Sequence, residues 1–176
     1  MRHPTSFVAG AALLFLAACQ PSNKPQPLTG ADSTAIAKNR ADYAAGWNKG
    51  DVDAVVALYT DDAVEQLADT TALKGSNAIR TYLNSALGTP TRPTLAITLV
   101  TLTGRQDLAV EAGTYTLTPP APAAPATGAA PAAPPPIAGK YLIAMMKQAD
   151  GRWKIAQAAI SPDAPMMAPA PAKRGR

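Results

Sequence analysis

Glu111, Gly113 and Tyr115 fall on alternate positions of a stretch whose period of two also places Ala109 and Leu117 with them on one face of a strand. A carboxylate turned into an apolar interior has its pKa raised by desolvation. With a phenol on the same face, it could take a proton from an acidic carbon and return it. The same residues also have a purely structural reading. Glu111 hydrogen-bonds inside the fold or faces water, and Tyr43, Trp47, Tyr59, Tyr82 and Tyr115 are core aromatics with polar tips. Other chemistries lack their residues. The one histidine, His3, and the one cysteine, Cys19, both lie at the extreme N-terminus. Histidine acid–base work, thiol nucleophiles and ordinary zinc sites are therefore excluded from the remainder. Asp61 and Asp62 have no third ligand in view and read as an exposed corner after a helix, so neither metal nor cofactor is expected.

Positioning these side chains falls to three helices and two hairpins. After Asp32-Ser33-Thr34, any of which can cap a helix, Ile36, Tyr43, Ala44 and Trp47 share one helical face. Lys49 suits the last turn and Gly50 the left-handed position beyond it. Asp51 can cap a shorter second helix whose stripe is Val52, Val55, Val56 and Tyr59. A third helix starts near Ser76 and carries Ile79, Tyr82, Leu83 and Ala86 inward. Leu95, Ile97 and Leu99 then alternate with polar or small residues, and Gly104-Arg105-Gln106-Asp107 turns the chain into the Glu111 strand. Asp150-Gly151 joins Tyr141–Lys147 to Trp153–Ile160. Helices segregated from hairpins predict an α+β domain on an antiparallel sheet. Between the hairpins, Pro119 to Pro136 is almost pure Pro and Ala and reads as an insertion.

The ends differ from this domain. Arg2 precedes an apolar run from Val8 to Ala18, which fits the charged and hydrophobic regions of an export signal and is too short to span a bilayer. Leu16-Ala17-Ala18-Cys19 resembles the signal of the bacterial lipoprotein family. The resemblance implies removal of residues 1–18 and diacylglycerol on the Cys19 thiol, so the partner is a membrane reached through the lipid. Gln20 after the cysteine implies the outer membrane, with the protein facing the periplasm. Residues 19–33 read as a flexible tether and 164–176 as a disordered basic tail. The 176-residue chain has a net charge of +4. From Ala31 to Asp163, however, 11 Lys and Arg face 12 Asp and Glu, so the excess sits in the ends and no nucleic-acid groove is expected.

Five pieces in order carry a second resemblance: Trp47-Asn48-Lys49-Gly50-Asp51, Leu58 to Val64, Lys74 to Ile79, Glu111 to Tyr115, and Asp150 to Ile155. Together they resemble the SnoaL-like, nuclear transport factor 2-like superfamily over residues 34–163. The likeness is strongest to the uncharacterised branch related to the association domain of calmodulin-dependent kinase. The resemblance implies a curved antiparallel sheet wrapped around a long N-terminal helix, forming a cone with a pocket. Relatives often form dimers through the outer sheet face, so a homodimer is a further expectation. Many relatives carry His-Asp shortly after Trp-Lys-Ile on the last strand. Here Gln157 and Ala158 take those places, leaving Gln157 as a non-titrating pocket residue. Two functions stay open: a tethered module that binds a small apolar ligand or assembles without catalysis, and an isomerase or cyclase using Glu111 as base. A third makes the chain an envelope protein bridging other components through its tails.

The lipid reading has a direct test. Replacing Cys19 by Ala is expected to abolish acyl incorporation and leave the chain unprocessed or mis-sorted, as followed by labelled fatty acid and membrane fractionation. Normal maturation of that variant would refute it.

Overall fold

A computed structural model describes residues 26–89, 91–122 and 132–163. Cys19, the expected signal peptide, most of the expected tether, the middle of the Pro/Ala stretch and the C-terminal segment 164–176 lie outside them. The elements run α1 (Gly30–Lys49), α2 (Val52–Val56), β1 (Tyr59–Leu67), β2 (Leu73–Lys74), α3 (Ser76–Leu87), β3 (Thr94–Arg105), β4 (Leu108–Thr118), β5 (Ile137–Lys147) and β6 (Trp153–Pro162). The strands form one open, curved sheet in the order β2-β1-β6-β5-β4-β3, antiparallel throughout except where β1 runs parallel to β6. This is the α+β architecture expected. No helix among the described residues is long and apolar enough to cross a membrane.

Helix α1 begins earlier than expected. Thr29 is its cap, and Thr29 and Asp32 satisfy each other's backbone in a capping box, so Asp32 is a first-turn residue and not the cap. The last positions assigned to the tether are therefore helical, and Pro27 bridges to Arg105. Asp32 also accepts from Lys147 Nζ at 2.6 Å and Trp153 Nε1 at 3.2 Å, which ties the start of the helix to β5 and β6. At the other end Gly50 takes φ 74° and closes the helix as expected. Asn48 both donates to and accepts from the backbone of Leu95, and Trp47 Nε1 donates to the Pro93 carbonyl, fastening the helix to the start of β3. Gly46 lets α2 approach, because a Cβ there would lie 2.8 Å from Val55 Cγ2.

The largest departure from expectation is β1. Asp51 caps α2, but that helix stops at Val56, and Tyr59 begins a strand instead of extending the helical stripe. Asp61 and Asp62 are exposed strand residues, while Tyr59, Thr60, Ala63 and Glu65 are buried. The strand is stitched to β6, where Ile155 N donates to the Leu58 carbonyl. With so many polar residues its alternation is masked.

The Pro/Ala stretch joins β4 to β5, whose pairing ends at Leu117 opposite Ile137. Its described residues are in neither strand nor helix, and residues 132–136 are exposed. Replacing Pro119 to Pro136 with a short Gly-Ser turn is expected to move the melting temperature by only a few degrees, because Pro and Ala offer little apolar side chain to a core and closure entropy varies slowly with loop length. Differential scanning calorimetry checks this, and collapse of the fold would show that the stretch packs on the sheet.

Candidate ligand-binding cavity

Helix α1 lies over the concave face of the sheet and does not fill it. Between them is a cavity of about 230 Å³ whose wall is mostly apolar and aromatic: Leu95, Ile97, Leu117, Ile143, Met145 and Ile155 from the strands, with tyrosines and Trp47 around them. Of the residues expected in a pocket, Tyr43, Trp47, Tyr59, Tyr82, Tyr115 and Glu111 all reach this wall.

Gln157 does not. Along β6 Trp153 and Ile155 point inward, and the alternation would continue to Gln157, but the pairing with β5 jumps from Met145–Ile155 to Ala144–Gln157 and leaves Ala156 as an extra residue. This bulge shifts the parity, so Ala158 and Ile160 face the cavity and Gln157 is exposed on the other side.

The bulge also completes a cross-strand row. Glu65 pairs with Ala158, Ala158 with Ile143, and Ile143 with Glu111. Two buried carboxylates thus stand on one row with three strand spacings between them, about 14 Å along the sheet before its curvature draws them together. Their surroundings differ. Glu111 is 2% exposed and both of its oxygens are engaged: Arg40 Nη1 donates to Oε2 at 2.5 Å, and the Tyr141 hydroxyl donates to Oε1 at 2.7 Å. Tyr141 reaches it across Gly113, its partner on β4. A Cβ at Gly113 would come within 2.6 Å of the Tyr141 ring. Tyr115 crosses Gly139 in the reciprocal arrangement. Burial, then the hydrogen bond to Glu111, pushes the Tyr141 hydroxyl well above the usual phenol range.

Glu65 is 1% exposed, and among the described residues its carboxylate has one hydrogen-bond partner, the Tyr59 hydroxyl at 3.2 Å. No cation pairs with it among the described residues. Desolvation pushes its carboxyl up to about 7, only partly offset by that hydrogen bond. Burial likewise pushes the hydroxyls of Tyr43, Tyr59 and Tyr82 upward, so these rings stay neutral at any ordinary pH. Tyr43 lies 6.3 Å from Tyr59 at a tilt of 59° and 6.5 Å from Trp47 in a stack. No group of three or more His, Cys, Asp or Glu among the described residues could hold a metal ion.

Sequence reasoning missed Arg40, Tyr141 and Glu65. Each left a signal: Arg40 sits on the stripe of Ile36, Tyr43 and Trp47, Tyr141 stands at the start of an expected strand, and Glu65 alternates with Ala63.

Residues 41–156, two thirds of the chain, match the SnoaL-like domain. The chain belongs to the SnoaL-like domain family. Among solved structures, the SnoaL-like fold here is similar to that of a ketosteroid isomerase-like protein from Erwinia carotovora atroseptica SCRI1043. The two are 24% identical with a TM-score of 0.63, covering 78% of this chain and all of the other. A nuclear transport factor 2-like protein of unknown function from Shewanella oneidensis MR-1 is 16% identical with a TM-score of 0.57, covering 73% of this chain and 98% of the other. A Nostoc punctiforme PCC 73102 protein of unknown function with a cystatin-like fold is 20% identical with a TM-score of 0.63, covering 80% and 96%. At such identities the SnoaL-like fold is what these structures share. No curated protein matches the chain.

Glu65 predicts a pH signature. The ordinary glutamate value is 4.5 and Glu65 in the folded domain stands at about 7. Between those values the folded state holds a proton that the unfolded state has released, so Glu65 lowers stability progressively as pH rises from about 4.5 to about 7. Glu65→Gln is therefore expected to be more stable than the parent at pH 8, by about 3 kcal/mol at most, and equal to it below about pH 4.5. Urea melts at both pH values measure this. A constant difference would mean that Glu65 does not change ionisation on folding.

Proposed function

We propose that this chain is an exported lipoprotein, held by Cys19 to the periplasmic face of the outer membrane, whose SnoaL-like domain binds a small and largely apolar molecule without transforming it. The observation that carries the binding reading is the cavity: about 230 Å³, walled mainly by aliphatic and aromatic side chains. Its main polar cluster is internally paired, because Arg40 neutralises Glu111 and both Arg40 and Tyr141 donate to its carboxylate. Such a site orients a ligand with few polar contacts and takes most of its affinity from apolar burial. At that volume, below the roughly 300–1,000 Å³ of drug-sized pockets, the ligand is small.

Glu65 favours a second reading, an isomerase or cyclase that moves a proton. A base is most effective when its pKa lies near the working pH, and Glu65, without a cation, is raised to about 7. Glu111, the residue sequence reasoning assigns to that step, has both oxygens engaged. An assembly role through a homodimer, as in the branch related to the kinase association domain, draws support from Leu108, Leu142 and Met146, which are exposed on the strands.

Native mass spectrometry of the full chain, released from membranes, is expected to show one small molecule bound per domain, lost in a variant where Ala158→Trp fills the cavity. If that molecule is turned over, Glu65→Gln is expected to lower the rate by about 10²–10⁴-fold. A rate that survives Glu65→Gln but is lost in Glu111→Gln would return the base to Glu111, and a chain that binds nothing would overturn the binding reading.

A further inference from the structure

The cavity contains an unbalanced charge. Its titratable and charged lining residues are Arg40 and Tyr43 from α1, Tyr59 and Glu65 from β1, Tyr82 from α3, Glu111 and Tyr115 from β4, and Tyr141 from β5. Arg40 is bound to Glu111. The tyrosines remain neutral, because burial holds every one of their hydroxyls above the usual phenol range. Glu65 is left as a carboxylate inside an apolar wall, with a single phenol at 3.2 Å and no cation among the described residues. Removing an ion from water costs several kcal/mol unless a counter-charge meets it, so a carboxylate in this position has most to gain from a cation that arrives with the ligand.

The rings around it suit such a guest. Tyr59 donates to Glu65, Tyr43 meets Tyr59 at a steep tilt and Trp47 in a stack, and Tyr82 comes from α3 close enough to feel the Glu65 charge. Aromatic rings beside a carboxylate can attract a positively charged nitrogen through their quadrupoles in addition to the ion pair. A bare metal ion fits poorly, since among the described residues Glu65 is the one free carboxylate it would find there.

We infer that the cavity selects a small organic cation, an apolar frame bearing one protonated or quaternary nitrogen, which pairs with Glu65 among the rings of Tyr43, Tyr59 and Tyr82. This rests on the reading of the cavity as a small-molecule site. Glu65 carries the selectivity, and Arg40 with Glu111 and Tyr141 forms a neutral polar end that leaves the cation one place to go.

The test compares two probes of the same shape, benzyltrimethylammonium and its uncharged carbon isostere neopentylbenzene, titrated into the full chain by calorimetry. The quaternary nitrogen has no proton to lose, so any pH dependence belongs to the protein. At pH 8 the ammonium is expected to bind about tenfold or more tightly than the isostere. That preference should fade at pH 5.5, where Glu65 is protonated, and should be absent at both pH values in Glu65→Gln. Should that variant fail to fold by circular dichroism, the pH dependence of the parent chain decides alone. An isostere that binds as well as the ammonium at pH 8, or a preference that survives Glu65→Gln, overturns the cation and leaves the binding site standing. Failure of both probes to bind would overturn the small-molecule reading and the inference with it.

Discussion

An open, curved sheet has a concave face that must be covered, and α1 lies over it here with α3 packed at its β1 end. The ion pair of Arg40 with Glu111 is where helix and sheet meet across the cavity. The Glu111 carboxylate is buried and the Arg40 guanidinium half-buried, so losing the contact is costly chiefly because Glu111 would remain without a counter-charge in a low-dielectric interior. The pair acts with other anchors: Asn39 donates to the Trp153 carbonyl, Asn48 grips Leu95, and Asp32 forms a second ion pair with Lys147 while accepting from Trp153. These directional contacts hold α1 at a fixed height above the sheet. A helix seated by apolar contact alone would sink until the space beneath it closed.

The two cavity carboxylates show how neighbours divide one chemical type into two roles. Glu111 is a structural anion with every strong contact satisfied, and Glu65 is a carboxyl whose charge state is free to change near neutral pH. The solved relatives share the frame around these groups at identities too low to carry the groups themselves. The SnoaL-like fold therefore supplies the frame of the cavity, and the side chains on the Glu65–Glu111 row set its chemistry.

Where the sequence was legible, the reason was periodicity. Ile36, Tyr43 and Trp47 marked the inner face of α1, and Glu111, Gly113 and Tyr115 marked that of β4. Arg40 was overlooked because an arginine on an apolar stripe reads as an ordinary helix former until the carboxylate 71 positions away is known to lie beside it. Strand β1 was hidden because Asp61, Asp62, Glu65 and Gln66 gave it the composition of a loop. Gln157 was misplaced for a different reason: one extra residue in β6 inverts the facing of everything after it, and no local pattern announces such a bulge. Position in space, rather than residue type, was the missing information at each point.

The reciprocal pairs of Tyr141 on Gly113 and Tyr115 on Gly139 bear on how the chain finds its alignment. A two-residue turn normally dictates which residues of a hairpin face each other, but β4 and β5 are joined through the long Pro/Ala stretch, which imposes no such choice. The alignment must be written into the strands. Two bulky rings, each needing a notch where a side chain is missing on the opposite strand, work as a lock with two keys. Sliding β5 by one residue would present Leu142 to Gly113 and set Tyr141 against Thr114 and Tyr115 against Lys140, so that neither ring would find its glycine. The glycines are thus less a concession to flexibility than an address, by which a hairpin without a directing turn recognises its own partner strand.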